Sequence, residues 1–540
     1  MPRHKQSTTA PAEEPRMPEV APEDDQPRGT RRTRQNSAEE PRIQGPRIQE
    51  LSLEDDQPRG TRRRRQDSAD EKPQAKETAN AKAAGARSAK ARKLGSPIDF
   101  MEQSRTVRNK QSTGKSRQGA KTAKVPPLES KERNLAAPLD FLTPCPWPLP
   151  TTNNAISNFD PNIIARDALE TTVIMHPRLP MLVDAFLQYK RGHGSNLEKA
   201  LYVSMSQHDL IARLIVKRAL HFVQAHDYTV LRDGVHEPML DWNAEWRRVG
   251  TTEEHLNEYV KLKDYLSYDE MMLASLLGTS GPSFFINTGR RDNRAELNPE
   301  EPHQERGVMV GLVGARFAAT GQMDHALMLS PAADGPSPRR RQDPRMSKVF
   351  QDFFGHGKDD KNFNIPLYKA RMQLSVETLL LESDDRAAQA GTTAYVHLVG
   401  LGLGVWGYAG EKQRVWYVDV VVQCLKDLDL KHVSTLEIAW IDVPASTVRK
   451  CEAAGKGVGI RVLFNKRPPC AKLDTDELLI RSWAWDSNTL PGNEYWSGIL
   501  ADSDDPAATC HSTIAELHNP YVNPFAHRIK VLQHRRRLSI

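Results

Sequence analysis

The second half of the chain alternates short apolar runs rich in β-branched residues with longer helical segments. The runs are SFFINTG from Ser283, GVMVGLVGARF from Gly307, TAYVHLVGLGLGVW from Thr393, HVSTLEIAWIDV from His432 and ELLIRSWAW from Glu477. Helical patterns, PLYKARMQLSVETLLLES and EKQRVWYVDVVVQCLKDL, flank the third run. Strands that are buried on both faces form such continuous apolar runs. The sequence therefore predicts a three-layer α/β domain over residues 276–540, with a mostly parallel or mixed sheet and flanking helices.

The region before this domain has a different texture. Apolar residues recur at three- and four-residue spacing in LPMLVDAFLQYKRG, in DLIARLIVKRALHFVQAH and in TTEEHLNEYVKLKDYLSYDEMMLASLLG. This spacing indicates amphipathic helices, the last of which should end at Gly278. We expect residues 136–275 to form a mainly helical region. A polar, Arg/Pro-rich insertion over residues 331–348 is predicted to be a surface loop.

The first part of the chain lacks the residues that build a core. Residues 1–99 contain no Phe, Trp or Tyr, and the first aromatic residue is Phe100. EDDQPRGTRRTRQNSAEEP from Glu23 recurs as EDDQPRGTRRRRQDSADEKP from Glu54, an offset of 31 residues, and neither copy has an apolar face. Such a segment cannot bury enough apolar surface to offset its ordering entropy. We expect residues 1–135 to form a long disordered tail with a duplicated low-complexity segment.

The basic charge belongs to this tail. Residues 1–135 carry 30 Lys/Arg and 20 Asp/Glu, whereas the remainder carries 45 and 49. The stretch from Lys82 to Lys124 has 12 basic residues against only Asp99 and Glu102. It predicts either a weak contact with nucleic acid or another anionic surface, or a nuclear-import signal, and an ordinary solvated tail fits it equally well.

The remaining bulk features exclude several classes of protein. The five cysteines are odd in number and lack CxxC spacing, so we predict neither a disulfide framework nor a structural zinc site. The start, MPRHKQSTTA, lacks the apolar core of a signal peptide, and no apolar run reaches 18 residues. We expect an intracellular protein of the nucleus or cytoplasm, with no membrane span, no metal and no cofactor.

One predicted strand runs into a glycine-rich turn. VGLGLGVWGYAG, residues 399–410, places Val405, Trp406 and Tyr408 among glycines and is followed at once by a helical pattern. Its glycines leave the backbone N–H groups open to close approach by a ligand, as in phosphate-binding turns; they are Gly400, Gly402, Gly404, Gly407 and Gly410. The pattern is neither a Walker loop nor GxGxxG. It predicts an anion-binding loop, although a simple packing turn would have the same glycines.

A second predicted strand runs into SWAWDSNTLPGNEYWSGILADSDDPAA, residues 482–508, which crowds carboxylates and amides among aromatic rings. Asp486 and Asn488 follow the strand directly, beside Trp485, and Asn493 and Glu494 follow the Pro-Gly turn. Carboxylates beside indole rings are partly desolvated, which raises their pKa and suits acid–base chemistry. Further along, Pro506 fits the first position of a helix, so that Asp504 or Asp505 would be its N-cap.

Together the two loops resemble those of a macrodomain, the fold that binds ADP-ribose. GLGVWGYAGEKQRVWYVDVVVQCLKDL is similar to the family's strand–turn–helix element of the form TGxYGY, which embraces the diphosphate and the distal ribose. WAWDSNTLPGNE is similar to the family's Asn/Asp-bearing loop, which holds the distal ribose hydroxyls. The resemblance is closest to glycohydrolase-type macrodomains and to a bacterial-effector branch that removes ADP-ribose from modified proteins. It covers roughly Ser275 to His527.

Two departures from the family pattern accompany this resemblance. In ordinary macrodomains the Asn-bearing loop precedes the glycine loop, whereas here it follows, which implies a permuted order of elements. The familiar GGG before the catalytic segment is missing, and LPGNE stands in its place. The resemblance therefore implies the ligand class, ADP-ribose, more firmly than the atomic details.

The resemblance also implies roles for the loop residues. The amides of Gly402 to Gly407 would bind the diphosphate, and Trp406 or Tyr408 would pack on the distal ribose. Asp486 and Asn488 would bind its hydroxyls, while the tryptophans would exclude bulk water.

A carboxylate near the anomeric carbon could stabilise an oxocarbenium-like transition state and move a proton. Glu494 is the first candidate for that catalytic role, Asp504 is the second, and Asp486 would position the sugar. The predicted activity is hydrolysis of the bond that joins the distal ribose to an ADP-ribosylated protein.

Three other functions share some of these features. An ADP-ribose reader would need the pocket but not the acids. A nuclear or chromatin adaptor would use the basic tail, but the folded part is negatively charged and has no zinc-finger, RNP-like or helix-turn-helix pattern. A glycoside hydrolase could combine carboxylates with tryptophans, but such enzymes are normally secreted.

The basic stretch gives a direct test of the tail. Residues 82–124 fused to a neutral reporter should concentrate the reporter in the nucleus, and the binding of this segment to nucleic acid should weaken steeply with salt because counterions are released. Fluorescence microscopy and a salt titration measure the two effects. A matched fusion with glutamine at the basic positions is the control, and equal behaviour of the two fusions would identify the stretch as a solvated tail.

Overall fold

The computed structural model of the protein describes residues 139–223, 226–331, 343–356, 362–500 and 503–537. The predicted tail over residues 1–135, with its duplication and the stretch from Lys82 to Lys124, lies outside the described residues. So does most of the insertion over residues 331–348.

The described residues contain ten strands. They are β1 (Thr172–Met175), β2 (His221–Val223), β3 (Tyr228–Val230), β4 (Leu277–Phe284), β5 (Arg306–Leu312), β6 (Ala394–Leu398), β7 (Val433–Ala439), β8 (Arg461–Asn465), β9 (Leu478–Ala484) and β10 (Ile529–Val531).

Thirteen α-helices lie among these strands in the described part of the chain. They are α1 (Pro161–Glu170), α2 (Leu179–His193), α3 (Asn196–Tyr202), α4 (Gln207–Val216), α5 (Trp242–Arg248), α6 (Tyr268–Ala274), α7 (Met323–Met328), α8 (Pro344–Phe354), α9 (Ile365–Gln389), α10 (Gly410–Asp427), α11 (Ala445–Lys456), α12 (Asp504–Cys510) and α13 (Ile514–Leu517).

Eight strands form one mixed sheet in the order β10-β1-β4-β5-β9-β6-β7-β8, and β2 pairs only with β3. The pairs β5–β9, β9–β6, β6–β7 and β7–β8 are all parallel. Only β4 runs in the opposite direction, since it is antiparallel to both β5 and β1 while β10 is parallel to β1. The predicted α/β class with a mixed sheet and flanking helices is confirmed.

The central strands are buried on both faces, as their apolar runs predicted. Every residue of β6 is buried, and in β7 and β9 burial continues through both alternating faces. The long helix α9 contacts β6, β7 and β9 and packs against α10, which in turn packs against α11. Continuous burial of this kind requires helices over both faces of the sheet.

The helices of the region over residues 136–275 begin at strong sequence signals. Capping boxes pair Ser195 with Glu198 at α3, Ser206 with Asp209 at α4, and Ser267 with Glu270 at α6. In each box the serine hydroxyl accepts a hydrogen bond from the backbone N–H of the third helical residue. The acidic side chain of that residue accepts a hydrogen bond from the backbone N–H of the serine. The region also contributes β1, which pairs with β4 in the main sheet.

The predicted helix over residues 251–278 is wrong for most of its length. Only α6 is an α-helix there, after a short 3₁₀ turn at Glu254–Leu256, and β4 already begins at Leu277. The buried carboxylate of Glu245 explains the difference, because it accepts hydrogen bonds from three successive backbone N–H groups, of residues 258, 259 and 260, at 2.7, 3.1 and 2.8 Å. A side chain from α5 thus satisfies amides that a helix would otherwise satisfy internally.

The predicted surface loop over residues 331–348 is also too long. The α-helix α8 begins at Pro344, whose ring is compatible with the first helical turn, and Asp343 accepts a hydrogen bond from the N–H of Arg345 at 2.9 Å.

Two glycines hold the loops after β5 and β6 in direct backbone contact. A Cβ on Gly314 would lie 2.2 Å from the N of Gly402 and 2.3 Å from the carbonyl carbon of Leu401. Gly402 has a φ of +71°, and a Cβ there would lie 2.6 Å from the carbonyl oxygen of Ala315. The glycine-rich loop is therefore fixed to the end of β5 at a separation that no side chain permits.

None of the helices in the described ranges is long and apolar enough to cross a membrane.

The contact between the two loops predicts a stability effect. Gly314→Ala should lower the free energy of unfolding by about 1–3 kcal/mol, the usual cost of overpacking, because every close neighbour of the new Cβ is backbone. Urea denaturation measures the change. Gly404→Ala is the control, since nothing lies within 4 Å of its Cβ position. Equal stability of the two variants would contradict the tight contact.

Candidate active site

A cavity of about 960 Å³ lies at the carboxyl ends of the parallel strands. The loop after β5 contributes Gly314, the loop after β6 contributes residues from Val399 to Trp406, and β7 leads into Trp440, Ile441 and Asp442. Lys466 follows β8, and Trp485 and Asp486 follow β9. Parallel strands end at one edge of a sheet, where α/β proteins bind their ligands. The two loops singled out from the sequence therefore meet in one cavity.

The glycine-rich loop presents backbone N–H groups to this cavity. Gln413, in the first turn of α10, accepts hydrogen bonds from the N–H groups of Tyr408 and Ala409 at 2.8 and 3.1 Å, which ties the loop to the helix. Within the described residues, the N–H groups of Gly404, Val405 and Trp406 donate no hydrogen bond, and all three residues line the cavity. Unpaired amides on a tight turn form an anion-binding concavity.

Three carboxyl groups meet in the same cavity. Asp486 follows β9, Glu494 lies in the 3₁₀ segment Asn493–Ser497, and Asp505 lies in the first turn of α12. All three are buried, yet all line the cavity. Asp486 accepts a hydrogen bond from the side-chain amide of Asn493, and Glu494 accepts one from the hydroxyl of Ser503 at 3.2 Å. We call Asp486, Glu494 and Asp505 the acid cluster.

The pKa values of the cluster reflect burial and mutual repulsion. Burial, followed by the charge of Glu494, raises the pKa of Asp486 well above its ordinary value, although Arg316 and Arg218 act in the opposite direction. Burial, followed by the charges of Asp486 and Glu494, raises the pKa of Asp505 in the same way. Three carboxyl groups in one buried place favour a shared proton over full ionisation.

Asp504 lies next to the cluster in sequence but has a different environment. Burial alone would raise its pKa, but the guanidinium of Arg481 at 2.9 Å and the N–H of Ala484 at 2.8 Å lower it overall. The predicted capping arrangement is wrong, because Ser503 is the N-cap and Asp504 and Asp505 occupy the first turn of α12. The side chains of Asp504 and Asp505 therefore lie in different polar networks.

Ten of the residues predicted for the site line the cavity: Asp486, Glu494, Asp504, Asn493, Gly400, Gly402, Gly404, Val405, Trp406 and Trp485. Gly407, Tyr408 and Asn488 lie outside the set of described residues that form its wall. The ring of Tyr408 packs instead against Phe317 and Phe363, with centroids 6.0 and 5.9 Å away. Asn488 is fully buried, and its carbonyl accepts from the N–H of Ala219 at 3.0 Å.

Trp440 is a cavity residue that was not predicted. It directly follows β7, has a φ of +59° and leaves 60% of its side chain exposed at the rim. Its backbone N–H donates to the carbonyl of Asn465 at 2.9 Å. A non-glycine residue in the left-handed region is strained, and such strain concentrates at functional sites. In the sequence Trp440 is marked only by its place in IAWID, at the end of a predicted strand, whereas its backbone conformation is visible only in the structure.

A buried histidine also lines the cavity. His397 of β6 lies in register with Arg481 of β9 and Glu437 of β7. Burial, followed by the charges of Arg481 and Arg467, lowers its pKa to about 3. Among the described residues, no group of three or more His, Cys, Asp and Glu side chains could hold a metal ion.

Comparison with known proteins gives two consistent results. Residues 149–332 and 340–538 match the family model described as ADP-ribosylhydrolase MavL-like. The chain is 32% identical over 389 residues to ADP-ribosylarginine hydrolase CG3568 of Drosophila melanogaster, which covers 65% of this chain and 75% of the relative. It is 32% identical over 392 residues to ADP-ribosylarginine hydrolase CG2909 of the same organism, over 65% and 76% of the two chains. The match includes the helices before β4 as well as the sheet.

The acid cluster predicts opposite stability effects at two adjacent residues. Asp505→Asn should raise the free energy of unfolding at pH 7 by about 0.5–2 kcal/mol, since it removes a carboxyl group whose ionisation the fold disfavours. The asparagine oxygen can still accept from the N–H of Gly492, which donates to Asp505 at 2.8 Å. Asp504→Asn should lower the same quantity by about 3–5 kcal/mol, because it leaves Arg481 buried without its ion pair.

Urea denaturation at several pH values measures both effects. The folded-state pKa of Asp505 is raised above the unfolded value of 3.8, so its ionisation costs stability at neutral pH. The gain from Asp505→Asn should therefore shrink as the pH falls toward 4. A loss of stability in Asp505→Asn at pH 7 would contradict the assignment.

Proposed function

The chain belongs to the MavL-like ADP-ribosylhydrolase family, and on this premise we propose that it removes ADP-ribose from ADP-ribosylated arginine side chains of proteins. The observation that carries the proposal is the position of the acid cluster. The cluster and the open amides of the glycine-rich loop line one cavity at the carboxyl ends of adjacent parallel strands. An anion-binding surface and a group of proton-transferring acids are the two parts that cleavage of ADP-ribose from a side chain requires.

The order of strands suggests how ADP-ribose lies in the cavity. The sheet runs β9-β6-β7, so the acid cluster, the glycine loop and Trp440 follow one another across its edge. The amides of Gly404, Val405 and Trp406 would bind the diphosphate in the middle. The exposed ring of Trp440 would stack on the adenine at one end, and the distal ribose would reach the acid cluster at the other. This arrangement fits a macrodomain-like mode of binding.

The charge of the cluster favours arginine as the modified residue. Both Drosophila relatives are named ADP-ribosylarginine hydrolases. A guanidinium group is cationic and hydrogen-bonds to carboxylates in a planar geometry. Its arrival beside Asp486, Glu494 and Asp505 would relieve the repulsion among the three carboxyl groups. An ester-linked or serine-linked substrate would bring no such charge.

The reaction cleaves the bond between the anomeric carbon of the distal ribose and the guanidine nitrogen. The bonding electrons leave with nitrogen, and a water oxygen forms the new bond to carbon through an oxocarbenium-like transition state. Glu494, as a carboxylate, would accept a proton from that water. A protonated member of the cluster would donate a proton to the departing nitrogen. The products are ADP-ribose and the unmodified arginine.

We assign the proton-donating role to Asp505 and not to Asp504. Burial and the two neighbouring carboxylates raise the pKa of Asp505, which favours the protonated form. Asp504 is held as a carboxylate by Arg481, so it would position β9 and α12. Asp486, whose carboxyl group accepts from Asn493, would hold the ribose hydroxyls, as the sequence suggested. Trp485 would shield the reacting atoms from bulk water.

The proposal predicts that binding and chemistry separate on mutation. Glu494→Gln should slow release of ADP-ribose from an arginine-modified protein by about 10²- to 10⁴-fold, the usual contribution of a positioned base, while leaving the affinity for free ADP-ribose nearly unchanged. Single-turnover assays and calorimetry measure the two quantities.

Gly404→Val is the complementary variant, because its side chain would enter open space at the diphosphate position. It should weaken ADP-ribose binding, whereas Gly404→Ala should weaken it less. Tight ADP-ribose binding without hydrolysis by the unmodified protein would identify an ADP-ribose reader, and the absence of both would reject the proposed function.

A further inference from the structure

Among the residues that the structure describes, one buried cation next to the acid cluster has no carboxylate partner. Arg218 follows α4 and is completely buried. Its guanidinium donates hydrogen bonds to three backbone carbonyls, of Leu214 at 2.8 Å, Asp486 at 2.9 Å and Ala274 at 3.4 Å. Within the described residues, no Asp or Glu oxygen lies within 4.0 Å of it. Arg218 thus carries a charge into the interior with neutral partners only.

Three other buried arginines are arranged differently. Arg213 pairs with Glu270 at 2.6 Å, Arg316 with Asp227 at 2.5 Å and Arg481 with Asp504 at 2.9 Å. Burying a charge without a partner costs several kcal/mol, so unpaired buried guanidinium groups are rare. Of these four buried arginines, Arg218 is the one without a carboxylate partner among the described residues.

Arg218 hydrogen-bonds to the backbone directly after the end of β9. Its guanidinium lies over the ring of Trp485, 3.9 Å from the ring centroid, and donates to the carbonyl of the next residue, Asp486. Trp485 and Asp486 both line the cavity. A planar guanidinium that stacks on one residue and hydrogen-bonds to its neighbour fixes the direction of both. The side chain of Asp486 therefore depends on a residue from the helical region before β4.

We propose that Arg218 is a positioning residue of the active site, which holds Trp485 and Asp486 in place and supplies the unshared positive charge that keeps the acid cluster partly ionised. This inference rests on the proposed function. It also gives the region before β4 a function, because that region supplies the buried cation next to the acid cluster.

Electrostatics agrees with this geometry. Burial lowers the pKa of Arg218 to about 9, and the charges of Asp486 and Asp505 act in the opposite direction. Charged groups outside the cluster also act on it: Asp504 from α12 with its partner Arg481, and Arg316 after β5 with its partner Asp227. Arg316 and Arg481 already share their charge with a carboxylate. Loss of Arg218 should thus raise the pKa of the cluster further.

The pH dependence of hydrolysis tests the inference. Arg218→Gln can still donate to a carbonyl but carries no charge, so the acid limb of the pH–rate profile should move upward by about one pH unit. Arg218→Lys retains a charge but loses the planar fork, so kcat should fall while the acid limb moves less than in Arg218→Gln.

Arg232→Gln is the matched control. Arg232 also lies over an aromatic ring, that of Tyr265 at 4.2 Å, and donates to two backbone carbonyls, of Arg218 and Asp264, at 2.7 and 2.6 Å. Arg232 is not among the largest influences on the pKa of Asp486 or Asp505, whereas the charges of both aspartates are among the largest influences on the pKa of Arg218. Its loss should leave the acid limb in place.

The possible outcomes distinguish a failure of the proposed role of Arg218 from a failure of the proposed function. An upward shift in Arg218→Gln only, with normal ADP-ribose binding, supports the role. An unmoved acid limb in Arg218→Gln, or equal shifts in Arg218→Gln and Arg232→Gln, overturns it while the proposed function stands. If Arg218→Gln fails to fold, Arg218→Lys decides, because a normal kcat and acid limb in that variant would rule out any need for the guanidinium fork. Failure of the unmodified protein to hydrolyse arginine-linked ADP-ribose at any pH rejects the proposed function instead.

Discussion

The pairing of β9 between β5 and β6 is the constraint on which the candidate active site depends. Along the chain β9 follows β5, β6, β7 and β8, yet in the sheet it lies between β5 and β6 and is parallel to both. Its carboxyl end therefore lies beside the glycine-rich loop after β6, although the two segments are about 80 residues apart in sequence. The contact between Gly314 and Gly402 completes this edge by drawing the loops after β5 and β6 together. Backbone pairing, and not local sequence, brings the anion-binding and acidic halves of the cavity together.

The protein interior next to this edge contains both buried carboxyl groups and buried guanidinium groups. Each of these charges would destabilise the fold if it were buried alone. Asp486, Glu494 and Asp505 repel one another, and burial raises the pKa of the two aspartates. Against them stand Arg316, which already shares its charge with Asp227, and Arg218, which shares it with backbone carbonyls only. Repulsion among buried carboxyl groups and a buried charge without an acidic partner both lower the free energy of unfolding. Such arrangements are common in active sites, where they shift pKa values toward those that proton transfer needs. The region before β4 supplies Arg218 and Asp227, so the site extends well beyond the domain predicted to contain it.

Much of this framework could be predicted from periodicity, because β6, β7, β9, α9 and α10 each carry an apolar run that the fold buries, even where polar residues interrupt it. The misses have physical causes. The three-residue strand β10 is too short for a pattern, and β8, RVLFN, was not identified because its apolar run is only three residues long. The helix predicted beyond residue 251 failed because Glu245, distant in sequence, satisfies its amides. Trp440 was missed because its significance comes from a backbone conformation, φ +59°, that sequence does not display.

Asp504 and Asp505 show why residue types alone could not assign the chemistry. Both are buried aspartates in the first turn of α12, one position apart. Successive residues on a helix point about 100° apart, so the first meets Arg481 and the N–H of Ala484 while the second meets Gly492 and the acid cluster. The same burial thus gives a lowered pKa in one and a raised pKa in the other. The lowered pKa favours the ionised form of Asp504, which suits an ion pair that holds structure, whereas the raised pKa favours the protonated form of Asp505, which suits proton transfer. The different environments of Asp504 and Asp505 therefore follow from the rotation of about 100° between successive residues of a helix.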